Sequence, residues 1–243
     1  MKYQFIRSEV LLGSKAIKKL NESRVLVAGL GGIGSWCAEA LVRSGVGSIA
    51  LVDGDVVEES NINRQLFALH TTLGQAKSQV ARDRFIEINP DVEIIAKQVF
   101  ISRETVNTLL EETAPDFVID AIDSVSPKSH LIRSSYEKHI PLISCLGAAL
   151  KRDPSRFKLT SLFKTHTCPL ARALRTCLRK QGIQSGVDCI FSDETPYYSG
   201  LEISAYEGKK FLGSYMPVVA TVGLLAADYC IKKLISLGNL EQI

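Results

Sequence analysis

Arg24-Val25-Leu26-Val27-Ala28-Gly29-Leu30-Gly31-Gly32-Ile33-Gly34 opens on an unbroken apolar run and closes on four glycines in six positions. A short apolar run of this kind reads as a strand buried on both faces. Residues 33–42 then place apolar side chains at helical spacing and stop at Ser44-Gly45, and residues 49–52 form a second strand ending at Asp53. Strand, glycine turn, helix and strand in about 30 residues make a βαβ unit. Glycines let the backbone approach a phosphate, whose charge is stabilised by amides at a helix N-terminus. Asp53 lies 19 residues past Gly34, where such folds present a carboxylate to ribose hydroxyls. Nucleotide binding is the expectation; the alternative is a tight turn that only packs helix on strand.

The alternation continues outward. Helices are expected over residues 75–88, 102–112 (capped by Ser102) and 129–139, and strands over 92–99, 117–119 and 142–145. That pattern predicts a Rossmann-like α/β fold with a mostly parallel sheet flanked by helices. After Gly147 the rhythm breaks. A strand over 159–162, a basic helix over 169–180, strand-like stretches at 189–192 and 203–206, and a last helix over 218–237 are expected. The reading is a nucleotide-binding core over residues 1–147 and a C-terminal, substrate-facing extension of the same domain over 148–243.

Composition narrows the function classes. No apolar core of signal-peptide length precedes Gly13, and the apolar run at 216–227 is too short to span a bilayer. Six scattered cysteines contain no Cys-x-x-Cys pair, which argues against a structural zinc and is consistent with reduced thiols in a cytoplasm. Cys37, Cys145 and Cys230 fall on apolar faces, whereas Cys189 sits in a polar loop as a candidate functional thiol, with a small packed residue as the favoured alternative. Net charge is only +3, yet residues 151–180 hold nine Lys/Arg against Asp153 alone. Such a block meets a polyanion or is a solvated helix face.

A nicotinamide dehydrogenase needs nothing beyond the turn and Asp53. This chain adds Ser60, Asn61, Asn63, Arg64 and Gln65 in one polar segment, then Lys77, then Asp120-Ala121-Ile122-Asp123-Ser124. Arg offers a rigid multi-donor fork and Lys a mobile point charge, so Arg64 and Lys77 together suit a triphosphate and a departing pyrophosphate. Asp120 and Asp123 flank a strand end at the sheet edge where ligands bind. Asp123 is favoured over Asp120 as the Mg²⁺ residue, since Asp120 serves equally as a helix cap.

Gly29-x-Gly31-Gly32-x-Gly34, Asp53, Ser60-Asn61-x-x-Arg64-Gln65, Gly74-x-x-Lys77 and Asp120-x-x-Asp123 resemble the ATP site of the MoeB/ThiF/ubiquitin-activating superfamily. The resemblance implies carboxylate adenylation from ATP and Mg²⁺ with release of pyrophosphate. Gly186-Val187-Asp188-Cys189-Ile190-Phe191-Ser192 and Thr167-Cys168-Pro169-Leu170 extend it toward the tRNA threonylcarbamoyladenosine dehydratase branch. That branch implies adenylation and cyclisation of the threonylcarbamoyl group on a tRNA adenosine, a homodimer, and a sulfur-transfer partner protein in some relatives. It gives Arg7 the position of an arginine reaching into a partner's ATP site, with a surface arginine as the alternative. Lys151, Arg152, Arg172, Arg175, Arg179 and Lys180 then become tRNA-binding candidates. The competing readings are activation of the C-terminus of a ubiquitin-like sulfur carrier, a non-catalytic nucleotide-binding module, and an NAD oxidoreductase.

Overall fold

A computed structural model describes residues 3–199 and 212–235. Two short helices open the chain, α1 (Ile6–Leu12) and α2 (Ser14–Asn21). The βαβ unit follows as β1 (Arg24–Ala28), α3 (Gly34–Arg43) and β2 (Ser48–Val52). Next come α4 (Lys77–Ile88), β3 (Glu93–Lys97), α5 (Val106–Thr113), β4 (Phe117–Asp120), α6 (Val125–Glu137) and β5 (Leu142–Cys145). The later part adds β6 (Phe157–Ser161), α7 (Pro169–Lys180), β7 (Asp188–Ser192) and α8 (Met216–Leu234). All seven strands join one sheet in the order β3-β2-β1-β4-β5-β7-β6, parallel except where β6 runs against β7.

Side-chain alternation along the strands divides the core into two layers. Val25 and Val27 of β1 point to the face covered by α3, α4 and α8, where Cys37, Leu41, Phe85 and Val222 are buried. Leu26 and Ala28 point to the opposite face, packed with Leu109 of α5 and Leu131 of α6. Farther along that second face, α7 buries Ala171, Leu174 and Leu178 against Cys189 and Phe191.

The sequence signals missed α1 and α2, because their amphipathic stretch lacks a capping residue: Phe5 and Gly13 occupy the N-cap positions without side-chain hydrogen bonds. Helix α4 starts at Lys77 rather than 75, since Gln75 and Ala76 are held by the loop, Ala76 bridging to Val56. Ser102 does cap a turn, its Oγ accepting from the amides of Glu104 and Thr105, but regular helix begins only at Val106. Conversely α6 begins at Val125, four residues early, because Pro127 is tolerated in a first turn. The strand-like stretch at 203–206 and the expected end of the last helix at 237 lie outside the described residues.

Candidate active site

The strand order reverses direction at β1, which is flanked by β2 on one side and β4 on the other. Ligands of open parallel sheets bind at such switch points, past the carboxyl ends of the strands. Ala28 is in register with Val52 and with Asp120, so Gly29, Asp53 and Ala121 leave the sheet side by side. Gly29 adopts φ +88°, and a Cβ there would stand 2.8 Å from the Ala121 carbonyl oxygen. At Gly34 a Cβ would fall 1.7 Å from the Gly29 carbonyl oxygen. These two glycines close the turn. Gly31 differs, because the nearest atom to a Cβ would be Gln65 Nε2 at 3.9 Å. The turn is therefore open at Gly31. The first hydrogen bond into α3 runs from Ser35 N to Gly31 O, which leaves the preceding amides at an open helix N-terminus suited to a phosphate.

Asp53 ties this turn to β2. Its Oδ2 accepts from Leu30 N at 2.6 Å and its Oδ1 from Asp55 N at 2.8 Å. Burial pushes its carboxyl above the usual carboxylate range, opposed by the charge of Lys77 and by these amide donors. Lys77 is buried at the start of α4, and its Nζ donates to Asp55 Oδ2 at 3.1 Å. Asp55 was absent from the sequence reading; its spacing from Lys77 carries no periodic signal, and the two meet only because the 55–77 loop returns to the sheet edge.

The polar segment folds into a tight 3₁₀ turn, Glu59–Asn61, with Asn61 Oδ1 accepting from Glu58 N. Arg64 leaves that turn with its stem 3.4 Å from the Cβ position of Gly32. Its Nη1 donates to Ser60 O at 2.8 Å and to Asn63 Oδ1 at 2.9 Å. Burial lowers the Arg64 pKa while the Asp123 carboxylate acts in the opposite sense, which places the two charges within electrostatic reach. Trp36 Nε1 donates to Arg64 O, and Asn63 Nδ2 to Ser214 O, so the segment is braced from α3 and from the approach to α8.

Asp120 and Asp123 separate cleanly. Asp120 is fully buried, with Lys128 Nζ at 2.8 Å and Ser144 Oγ donating at 2.8 Å. Burial raises its pKa and Lys128 opposes this. Its oxygens are consumed inside the protein. Asp123 is exposed on the β4–α6 loop, and Ser124 stands beside it as the N-cap of α6 with no side-chain capping bond. Lys128 was not singled out from the sequence; a lysine in an amphipathic helix gives no sign that it points inward. One exposed carboxylate beside a phosphate-binding turn fits Mg²⁺, which is held by one or two carboxylates plus phosphate oxygens and keeps several waters. Among the described residues no cluster of three His, Cys, Asp or Glu forms a closed metal cage.

Three sequence-based candidates sit elsewhere. Cys189 is not in a polar loop: it is fully buried on β7, between β5 and β6, and burial pushes its thiol far above the ordinary range. Lys151 is buried, its Nζ donating to Glu194 O, and cannot meet a polyanion. Arg175 is half-buried and donates to Thr165 Oγ1. Arg152, Arg172, Arg179 and Lys180 are exposed. Arg7 is exposed on α1, and among the described residues no hydrogen bond or ion pair joins it to the turn. Cavities of about 360 and 410 Å³ open at the other end of the sheet, by Pro141 and Leu142 before β5 and by Arg24 and Ser48 at the start of β1 and β2. Neither cavity is lined by the glycine turn.

Comparison with known proteins agrees with this geometry. The ThiF family profile matches residues 5–242. The tRNA threonylcarbamoyladenosine dehydratase of Bacillus subtilis (strain 168) is 48% identical over 81% of this chain and 77% of its own length. That of Escherichia coli (strain K12) is 36% identical over 93% and 91%. The crystal structure of the E. coli enzyme, TcdA, in complex with ATP matches with a TM-score of 0.88 at 36% identity, over 96% of this chain and 94% of that one. The chain belongs to the ThiF family.

Proposed function

We propose that this protein is an ATP-dependent tRNA-modifying enzyme that adenylates the threonyl carboxylate of threonylcarbamoyladenosine and cyclises it with net loss of water. The observation carrying the adenylation step is the meeting, at one sheet edge, of an open glycine turn, two cations and a solvent-facing carboxylate. The tRNA step draws on the names of the relatives and on the exposed cations of α7.

The chemistry follows from the side chains. The amides around Gly31 and the guanidinium of Arg64 hold the phosphates, and Lys77 neutralises charge that builds on the leaving pyrophosphate. Asp123 holds Mg²⁺, which when bound draws electron density from the phosphate oxygens. The threonyl carboxylate attacks the α-phosphorus, the bond to pyrophosphate breaks, and an acyl-adenylate forms. A nitrogen or oxygen of the same threonylcarbamoyl group then attacks the acyl carbon. AMP leaves, a proton is released, and the ring closes. No protein nucleophile takes part, in keeping with a buried Cys189.

The protein acts as a homodimer in this reading. Tyr3 just before α1 and Val10 and Leu11 on it are 88%, 82% and 82% exposed, an apolar surface that a second copy would cover, with Arg7 on the same helix reaching the partner's ATP site. A cytoplasmic location accords with the absence, among the described residues, of any helix long and apolar enough to cross a membrane.

The test is mass spectrometry of tRNA nucleosides after incubation with protein, ATP and Mg²⁺. The expected product is threonylcarbamoyladenosine lighter by one water, with AMP and pyrophosphate formed in step. An unchanged nucleoside together with pyrophosphate exchange driven by a ubiquitin-like sulfur carrier would overturn the reading.

A further inference from the structure

We infer that Arg152 and Tyr197 form a stacking platform for an unpaired base of the RNA substrate, next to the adenylation site. The inference rests on the tRNA reading above and identifies a subsite within it.

Three backbone segments converge to build this surface. Leu150 N donates to Gly213 O at 2.8 Å and Leu150 O accepts from Tyr197 N at 2.8 Å. The carboxylate of buried Glu194 caps the amides of Arg152 and Asp153 at 3.1 Å. Tyr215 Oη donates to Arg152 O at 2.7 Å. The backbone under Arg152 is thus held from both sides, while its side chain is exposed. The guanidinium lies 3.6 Å from the centre of the Tyr197 ring, a face-to-face distance for a planar cation on an aromatic ring. Tyr197 remains 45% exposed and Tyr198 72%.

A single exposed ring is ordinary at a protein surface, but Tyr197 also carries a planar cation on its face. A ring carrying a guanidinium accepts a nucleobase well, since every base has a π-face and arginine adds cation–π attraction without sequence preference. An apolar protein partner would leave the Arg152 charge desolvated and unpaired. The platform is also joined to the chemistry. Asn63 binds Arg64 through Oδ1 and Ser214 O through Nδ2, and Ser214 precedes Tyr215, which holds Arg152. A base stacked there would hold its neighbouring nucleotide near the segment that carries Arg64.

The variants Tyr197→Leu and Arg152→Ala test this, with Tyr197→Phe as the conservative control. Steady-state kinetics would use tRNA bearing threonylcarbamoyladenosine, at saturating ATP and several salt concentrations. Loss of one base stack predicts a fall in kcat/KM for tRNA of about tenfold, within a range of about 5- to 150-fold. Tyr197→Phe should stay within about twofold of wild type. ATP affinity of Tyr197→Leu, measured by direct binding without tRNA, should be unchanged. The log–log salt dependence of tRNA binding should keep its slope in Tyr197→Leu, because stacking releases no counterions, and should flatten by about one in Arg152→Ala if the guanidinium also contacts a phosphate. Wild-type-like turnover in Tyr197→Leu overturns the platform and leaves the tRNA reading standing. An equal loss of ATP affinity in Tyr197→Leu would mark the ring as a structural brace and also overturn it. Failure of the wild-type protein to act on tRNA overturns both.

Discussion

At the scale of single residues, the two neighbouring aspartates illustrate how burial assigns roles. Asp120 and Asp123 are three positions apart, yet Asp120 is sealed against Lys128 and Ser144 while Asp123 faces solvent. Asp123→Ala should therefore abolish ATP–pyrophosphate exchange while leaving the unfolding free energy within about 0.5 kcal/mol of wild type by urea titration, as expected for an exposed position. Exchange activity surviving in that variant would remove Asp123 from the metal site. Lys128→Met should do the reverse, destabilising the fold by about 3 kcal/mol because a buried carboxylate loses its partner. Combining it with Asp120→Leu should recover most of that loss by urea titration, since an apolar pair of similar volume carries no desolvation penalty. Gly34→Ala places a methyl 1.7 Å from the Gly29 carbonyl oxygen, a contact only backbone movement can relieve. A loss of ~2–3 kcal/mol and of ATP binding is expected, measured by chemical denaturation and calorimetry.

Among elements, α8 matters most for the site although it lies far along the chain. Val219 approaches the Cβ position of Gly32 to 3.0 Å, and a Cβ on Gly223 would meet Ile33 O at 2.5 Å. Helix α8 thus packs directly on the glycine turn. Helices α3 and α4 are fastened by Glu39, which accepts from Arg84 Nε at 2.8 Å and Nη2 at 3.0 Å and from Arg43 Nε at 2.7 Å. Burial pushes the Glu39 carboxyl up, but the two arginines more than offset this and leave it below its ordinary value. A depressed carboxylate stabilises the fold above its unfolded pKa, about 4.3, and the contribution disappears as pH falls through the folded value. Glu39→Gln should lower stability by about 1 kcal/mol at pH 7, a figure discounted for the half-exposed arginines. The gap to wild type should close below pH 4; a gap independent of pH would mean that packing, not charge, fastens the helices.

For the whole molecule, the issue is where the positive charge of residues 151–180 ends up. Asp193 pairs with both Lys158 and Arg156 and offsets one of their two charges, and their hydrogen bonds hold its carboxyl down to about 2. Lys151 is buried and Arg175 turns inward. Arg172, Arg179 and Lys180 are exposed on α7 and Lys164 just before it. Replacing Arg172, Arg179 and Lys180 with Gln should weaken tRNA binding increasingly as salt is lowered and flatten the log–log salt slope by about 2–3. An unchanged slope would show that α7 lies off the RNA path.

Much of the fold was legible in the chain because its signals are local: the apolar runs of β1, β4 and β5, the glycine turn, and Pro169 opening α7 all act through nearest neighbours. That Asp53 and Asp123 follow strand ends and that Arg64 lies in the polar segment after β2 was legible for the same reason. Lys151 was misread as a surface cation, Cys189 proved to be the packed residue of its two readings, and Asp55 and Lys128 were missed, because burial is decided by what packs on a residue from elsewhere. By itself, the sequence determined the order of elements from β1 to β5 and which residues follow each of those strands, since backbone propensity and hydrophobic period are encoded in short windows. Only the tertiary structure decided which of those charges face water. Desolvation depends on partners that are remote in sequence, such as Glu194 over Lys151 or Lys128 beneath Asp120, and no spacing along the chain encodes that distance.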